Sequence, residues 1–363
     1  MSLKVGGLFS GVGGIELAFK QAGFDIAWAN DFDQYAHKTY KKILKADHYI
    51  AQTPLPIEQL ISQEFNSSLT GVDILVAGFP CQAFSIAGYR KGFKDKRGNV
   101  FFNIIDILNH LKKHEELPSA LLLENVKNFK GHDNGNTFLT VKNELENLGY
   151  SVYCKILNTS DYTTIPQNRE RTFMICFKEE AKWSKYQFDE ESTFISNEQF
   201  KNALADCPRT TTFHNNFLNT NVKRMPLKSI QDLLDENVDP EFFYTDLKYP
   251  KAYSLLKEAM TSFDTVYQYR RVYVRENKRG VCPTLTANMG TGGHNVPLVL
   301  INSGNKNCIR KLTPLECFRF QGYNNISLPK SLANSHLYKQ AGNSVTVPLV
   351  KMLAENIKLS LES

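Results

Sequence analysis

Apolar and polar positions alternate along the first half of the chain in a way that predicts alternating strands and helices. Six apolar runs have the length of buried strands: LKVGGLFS, FDIAWAN, VDILVAGF, SALLLENV, YSVYCKIL and RTFMICF. Between them lie stretches with helical spacing, such as GIELAFKQAG, FFNIIDILNHLKKH and FLTVKNELENLG. This order favours an α/β fold with a mostly parallel sheet and helices on both faces.

The alternation is lost after about residue 185. A polar, asparagine-rich region follows, and it leads to the arginine-, threonine- and glycine-rich stretch YQYRRVYVRENKRGVCPTLTANMGTGGHN, which is typical of specificity loops. The tail GNSVTVPLVKMLAENIKLSLE returns to helical spacing and is expected to pack on the first part. We predict a first domain over 1–188 that is completed by 338–363, a smaller irregular domain over 189–322, and a hinge over 323–337.

Composition and charge limit the classes of protein to which this chain can belong. The 363 residues, 42% of them hydrophobic, are enough for two cores, and the net charge of +6 suits a polyanionic partner without requiring one. Seven cysteines without a C-x-x-C pair or a His/Cys cluster predict a reduced, cytoplasmic protein with no metal site. No run of about 18 apolar residues occurs, so we predict neither a membrane span nor secretion.

A glycine-rich turn and an acidic residue suggest a cofactor site. Gly11, Gly13 and Gly14 lie between a predicted strand and a predicted helix, where glycine lets the backbone approach a ligand. The next strand ends at Asp31, where nucleotide-binding α/β proteins place an acceptor for ribose hydroxyls. Alone, the glycines fit a tight turn equally well; together, the two features favour an adenosine-containing cofactor.

Reactive side chains follow other predicted strands. Cys81 ends GFPC, and its alternative role is that of a buried thiol. Glu124 follows ALLL and suits a proton-donating acid with a raised pKa, or otherwise a helix N-cap or a surface ion pair. Arg169 and Arg171 suit the stabilisation of a thiolate or an anionic base, or are simply solvated. A thiolate that adds to C6 of a pyrimidine makes C5 nucleophilic enough to accept a methyl group from a sulfonium donor.

Six blocks in this order carry a resemblance to a known family: LFSGVGG, GFPCQAFS, LLENVKNF, QNRERTFMI, RKLTPLECFRFQGY and QAGNSVTVP. The chain resembles the cytosine-5 DNA methyltransferases, in particular the compact bacterial enzymes of restriction–modification systems. The resemblance implies a Rossmann-like sheet that depends on S-adenosyl-L-methionine, with a smaller DNA target-recognition domain over 189–322. It also implies a monomeric, cytoplasmic bacterial enzyme that binds double-stranded DNA and has a cognate restriction endonuclease as its functional partner.

The resemblance also implies roles for residues, which we give by their positions in this chain. The residues expected at S-adenosylmethionine are Phe9, Gly11, Gly13, Asp31, Phe32, Asn343, Ser344 and Val345. The expected catalytic residues are Pro80, Cys81, Glu124, Arg169 and Arg171, with Glu124 bonded to cytosine N3 and the exocyclic amine. The residues expected at DNA are Gln82 and Ser85 on a loop that closes over it, with Arg270, Arg271, Arg275, Lys278, Arg279, Thr284 and Leu285 in the recognition domain. The family usually has an acidic residue near the end of the third strand, against the adenine amine, whereas the corresponding stretch here is DHYIAQTPLP.

Two alternative functions fit parts of the sequence. An RNA cytosine-5 methyltransferase acting on transfer RNA would carry the same blocks, but the long recognition region favours DNA. A DNA-binding regulator without activity would keep the fold, but the intact Pro80–Cys81 pair, Glu124 and the two arginines argue against it.

Overall fold

The computed structural model describes residues 2–60, 68–80, 100–178, 226–277, 280–291, 295–303 and 306–362. The strands of these residues are β1 (Lys4–Leu8), β2 (Asp25–Asn30), β3 (Ile74–Gly78), β4 (Ala120–Val126), β5 (Tyr150–Asn158), β6 (Gln167–Asn168), β7 (Glu170–Lys178), β8 (Phe243–Tyr244), β9 (Tyr267–Tyr269), β10 (Val274–Glu276), β11 (Cys282–Pro283), β12 (Leu298–Ser303) and β13 (Lys306–Lys311). The α-helices are α1 (Gly14–Gln21), α2 (Gln34–Leu44), α3 (Val100–Lys113), α4 (Asn136–Asn147), α5 (Thr159–Tyr162), α6 (Pro250–Ala259), α7 (Pro314–Arg319), α8 (Asn334–Asn343) and α9 (Val347–Glu362).

The main sheet contains all six strands predicted from the apolar runs. Its order is β2-β1-β3-β4-β7-β5, and the first four strands are parallel. The pairs of β7 with β4 and with β5 are antiparallel. A parallel pairing of β5 with β7 would require a long crossover connection, usually a helix. The connection between these strands is too short for one. The predicted α/β class with a mostly parallel sheet is confirmed.

Both faces of this sheet are covered at its centre, which explains why the central strands β3 and β4 are mostly apolar. In β3, Ile74 and Val76 pack on one side, whereas Leu75 and Ala77 pack on the other. One side is covered by α1 and α9, and the other by α3 and α4. Strands covered on two faces lose the alternation of apolar and polar residues that marks a half-exposed strand.

The helices α1, α3, α4 and α9 occupy stretches whose spacing predicts helices. The terminal helix α9 packs on the first part, as expected, and its Lys358 ammonium lies 5.7 Å from the centre of the Phe24 ring. Helix α2, which is rich in lysine, was not predicted from helical spacing. Its N-cap is Asp33, whose carboxylate accepts hydrogen bonds from the backbone amides of Tyr35 and Ala36.

A second, antiparallel sheet of five strands occupies the region predicted to be irregular. Its order is β10-β9-β12-β13-β8, and α6 packs on it through Leu256. Tyr267, Leu298 and Ile309 form the same small core. Several of these strands are only two or three residues long, so they carry no recognisable period in the sequence.

Packing continues from the main sheet into the region that joins the two sheets. Leu312, Phe318 and Tyr323 belong to the same buried cluster as Val5 and Phe19. No break in this packing coincides with residue 322, and the domain boundaries given above remain a prediction. Within the described ranges, no helix combines the length and the apolar character needed to cross a membrane.

Candidate active site and cofactor crevice

The glycine-rich turn joins β1 to α1 at the carboxyl edge of the main sheet. Phe9, Gly11 and Gly13 all have positive φ angles, of 54°, 54° and 81°. A Cβ atom on Gly13 would lie 2.5 Å from a methyl carbon of Leu44, so packing requires glycine there. A Cβ atom on Gly11 would meet no described atom within 4 Å. This side of Gly11 therefore leaves room for the close ligand approach that the sequence analysis predicts.

Asp31 at the end of β2 holds the glycine-rich turn. One carboxylate oxygen accepts a hydrogen bond from the Gly11 amide at 2.8 Å, and the other accepts one from the Asp33 amide at 2.8 Å. Burial raises the pKa of Asp31, and these two amides oppose the rise. Each carboxylate oxygen has a second lone pair, so Asp31 can still accept bonds from ribose hydroxyls. The neighbouring ring of Phe32 is 70% exposed and is available for stacking.

The segment after α8 returns to the start of α1. The Tyr323 hydroxyl lies 2.5 Å from the Ser344 hydroxyl, and a Cβ atom on Gly14 would lie within 3.0 Å of both oxygens. Val345 packs at the same place, whereas Asn343 is exposed. The glycine-rich turn and the stretch from Ser344 to Val345, more than 300 residues apart, thus meet at Gly14; we call the cofactor site predicted here the crevice.

The stretch that departs from the family pattern runs beside the end of β2. The Ile50 amide donates to the Ala29 carbonyl at 3.0 Å, and the Leu55 amide donates to the Asp31 carbonyl at 3.1 Å. The acidic residue of this stretch, Asp47, lies 3.0 Å from His37 and is engaged there. The stretch from Tyr49 to Pro56 contains no acidic side chain.

A carboxyl group and a guanidinium meet at the carboxyl ends of β3 and β4. Glu124 pairs in register with Gly78, two residues before Pro80. The Arg171 Nε atom lies 3.1 Å from Glu124 Oε1, and the two side chains are only 14% and 11% exposed. Burial raises the pKa of Glu124, while Arg171 and then Arg169 oppose the rise. This direction is the one expected for an acid that keeps its proton near neutrality.

The three remaining residues of the predicted catalytic loop lie outside the described residues: Cys81, Gln82 and Ser85. Pro80 is exposed at the end of the described segment. No role was predicted for Asn125, whose amide nitrogen donates to the Phe79 carbonyl at 3.0 Å. Asn125 therefore ties β4 to the backbone just before Pro80, and its position directly after Glu124 is the only signal that pointed to it.

Arg169 occupies a different environment from Arg171. Its side chain is 1% exposed, and its guanidinium donates to the carbonyls of Leu285 at 2.8 Å, of Gly342 at 3.0 Å and of Ser344. Arg169 thus joins the cofactor segment to the region after β11. The sequence placed both arginines beside the base, but all the hydrogen bonds made by the Arg169 guanidinium within the described residues go to backbone carbonyls.

The Thr284–Leu285 pair also differs from its expected place at DNA. The short strands β11 and β6 pair in parallel, and the Thr284 hydroxyl donates to the Asn168 carbonyl at 2.6 Å. Leu285 is 1% exposed and belongs to the main buried cluster. We therefore correct the assignment of Leu285: a side chain buried in the core cannot contact DNA from this position.

The hairpin β9–β10 carries the predicted basic residues to the surface. Arg270, Arg271 and Arg275 are all exposed, and none forms an ion pair within the ranges that the structure describes. The Arg270 amide closes the turn by donating to the Tyr273 carbonyl at 2.8 Å, and Arg271 has a φ of 64°. Val272 at the tip is 84% exposed. Lys278 and Arg279, which follow the hairpin, lie outside the described residues.

The main sheet agrees with the comparisons to known proteins. Residues 3–359 match the family model of the C-5 cytosine-specific DNA methylases. The chain belongs to this family. It is therefore an S-adenosylmethionine-dependent DNA (cytosine-5-)-methyltransferase.

Relatives of this methylase cover almost its whole length. It is 44% identical over 361 residues to the type II methyltransferase M.Bsp6I of Bacillus sp. (strain RFL6), with 99% of each chain covered. It is 35% identical to the type II methyltransferase M.HhaI of Haemophilus parahaemolyticus, with 98% of this chain and 94% of the relative covered. A DNMT2 mutant from Spodoptera frugiperda has a TM-score of 0.67 at 19% identity, with 98% of this chain and all of that chain covered, and it supports the fold.

Proposed function

We propose that this methylase transfers a methyl group to C5 of a cytosine that is flipped out of a short, specific site in duplex DNA. The transfer proceeds through a covalent bond between Cys81 Sγ and C6, and its role is to protect host DNA from a cognate restriction endonuclease. The observation that carries the proposal is the Glu124–Arg171 pair, which lies level with Gly78 just before Pro80 and Cys81. The type II methyltransferases among the relatives support the protective role.

The crevice at the glycine-rich turn suits S-adenosylmethionine. When bound, this cofactor supplies an electrophilic methyl group on a sulfonium. The open side of Gly11 suits a close approach of the ligand to the backbone. The half-buried Asp31 carboxylate suits its ribose, and the exposed Phe32 ring suits its adenine. The residues that would hold it are Phe9, Gly11, Gly13, Asp31, Phe32, Asn343, Ser344 and Val345.

Glu124 and Arg171 act on the cytosine ring. Flipping the base costs a few kcal/mol of stacking and pairing. As Cys81 Sγ bonds to C6, electron density moves into the ring, and a hydrogen bond from the Glu124 carboxyl to N3 stabilises it. Arg171 fixes Glu124 Oε1 at 3.1 Å and so orients the carboxyl toward the base. After C5 has accepted the methyl group, loss of the C5 proton and elimination of the Cys81 thiolate restore the double bond.

Arg169 acts as a positioning residue in this scheme. Its buried guanidinium holds the carbonyl of Ser344, on the cofactor side, and the carbonyl of Leu285, which follows β11. It therefore fixes the crevice relative to the region that leads into the second sheet.

The exposed arginines of the β9–β10 hairpin meet the DNA. More than half of protein–DNA hydrogen bonds go to the backbone, so phosphate contacts are the main role that we assign to Arg270, Arg271 and Arg275. If one of these guanidinium groups reaches the major groove, it forms two hydrogen bonds to the edge of a guanine. Gln82 and Ser85 remain proposed contacts on the loop that follows Cys81.

The test is a transfer assay with S-adenosylmethionine that carries a labelled methyl group. The wild-type protein is offered duplex DNA and transfer RNA in separate reactions, and the products are digested to nucleosides. We expect labelled 5-methyl-2′-deoxycytidine from DNA. Cys81→Ala should bind the cofactor but transfer no label, while Cys308→Ala, on the second sheet, should remain active. An active Cys81→Ala variant, or transfer to RNA in preference to DNA, would overturn the proposal.

A further inference from the structure

A buried carboxyl group lies beneath the glycine-rich turn without a hydrogen-bond partner. Glu16 is in the first turn of α1 and is 1% exposed, and neither of its carboxyl oxygens bonds to a described residue. A Cβ atom on Gly7 would lie 2.1 Å from Glu16 Oε1, so the carboxyl packs directly against β1. The hydroxyl of Ser10, in the turn itself, is also buried; it is close enough to the Glu16 carboxyl to lower its pKa, but the two groups do not meet in hydrogen-bond geometry. Buried polar atoms without partners are costly and call for a physical explanation.

No cation among the described residues balances this carboxyl. The titratable groups that interact with it electrostatically are Asp31 after β2, Tyr40 on α2, Tyr49 and Tyr323. All four are acidic or neutral. Burial raises the pKa of Glu16 to about 7, the Ser10 hydroxyl opposes the rise and Asp31 adds to it. A helix N-terminus ordinarily attracts anions, so the buried Glu16 carboxyl and the half-buried Asp31 carboxyl beside this one favour a cation instead.

We propose that Glu16 is the counter-charge for the cationic methionyl part of S-adenosylmethionine. Its carboxyl carries a proton in the free protein and loses that proton when the ligand binds over the glycine-rich turn. The proposal rests on the cofactor crevice proposed above. The sulfonium and the ammonium of the ligand are both cations, and S-adenosylhomocysteine retains only the ammonium.

Isothermal titration calorimetry in buffers of different ionisation enthalpy measures the protons released on binding. For full-length protein and S-adenosylmethionine at pH 7, Glu16 should release about half a proton, because half of the groups are neutral at a pKa of about 7. Glu16→Gln should lose this release. Glu58→Gln, at an exposed position, should retain it. Any proton exchange by the ligand itself is common to all three proteins and cancels in the comparison.

The wild-type protein alone provides a second measurement that does not depend on the folding of a variant. Its affinity for S-adenosylmethionine should weaken about tenfold from pH 8 to pH 6 as the carboxyl takes up a proton, and an affinity that does not weaken over this range would contradict the proposal. The two ligands show which cation contacts Glu16. Proton release on binding of S-adenosylhomocysteine as well as S-adenosylmethionine would assign the contact to the ammonium. Proton release on binding of S-adenosylmethionine alone would assign it to the sulfonium.

Two outcomes distinguish failure of this inference from failure of the proposed function. Equal proton release by the wild type and Glu16→Gln, with both proteins binding the ligand, would overturn the role of Glu16 and leave the crevice intact. If the wild type bound neither ligand, both the crevice and the role of Glu16 would be overturned.

Discussion

Replacement of Arg169 by methionine tests the structural role of the buried guanidinium. The substitution keeps a long side chain but removes the donors to the carbonyls of Leu285, Gly342 and Ser344. A hydrogen bond from a charged donor contributes about 1.5–3 kcal/mol, which gives about 5–9 kcal/mol for three bonds. Burial lowers the pKa of Arg169 well below its ordinary value, so part of this sum offsets the cost of burying the charge. Each buried carbonyl left without a donor costs about 1–3 kcal/mol, and we expect a net loss of about 3–5 kcal/mol for the three together.

Urea unfolding followed by circular dichroism measures this loss. With a slope of about 1–3 kcal/mol per molar urea, the midpoint of Arg169→Met should fall by at least about 1 M. Arg275→Met is the matched control, because that arginine is exposed at the hairpin and its loss should move the midpoint little. Equal midpoints for the two variants would refute the conclusion that Arg169 is a buried clamp.

Three further predictions concern the active site, the crevice and the hairpin. Glu124→Gln should lower the rate of methyl transfer about 10²- to 10⁴-fold without changing cofactor affinity. A single-turnover rate that falls less than tenfold would contradict the role of Glu124 as an acid. Because the pKa of Glu16 is raised, the folded protein binds more protons than the unfolded chain between pH 4.5 and about 7. The stability of the wild type should therefore fall by about 3 kcal/mol as the pH rises across this window. Urea unfolding at pH 5 and pH 8 should show a smaller fall for Glu16→Gln. Replacing both Arg270 and Arg271 with alanine should reduce the slope of log affinity for DNA against log salt by about 1–2, and an unchanged slope would place these side chains away from phosphates.

The main sheet and much of the candidate site could be predicted because their signals are local. A strand that is buried on both faces, such as β4, gives an unbroken apolar run, and a polar residue at its end marks the carboxyl edge of the sheet. Glu124 and Asp31 were found in this way. Gly11 and Gly13 were found because a turn between a strand and a helix needs their positive φ angles.

Features that depend on distant contacts could not be predicted. Arg169 follows a polar turn and looks like a solvated residue until Gly342 and Ser344, more than 170 residues away, supply its acceptors. Leu285 sits in a polar, glycine-rich stretch, but the pairing of β11 with β6 carries it into the core. In the second sheet, β8, β9 and β10 were missed because strands of two or three residues have no measurable period.

Bisulfite sequencing tests the central claim most directly. DNA is taken from cells that have no cytosine methylation of their own and that express either the wild-type chain or Cys81→Ala. The wild type should protect one cytosine within one short, recurring sequence from conversion, and Cys81→Ala should protect none. Complete conversion with a folded wild-type protein, or the same protected sites with Cys81→Ala, would contradict specific cytosine methylation through Cys81.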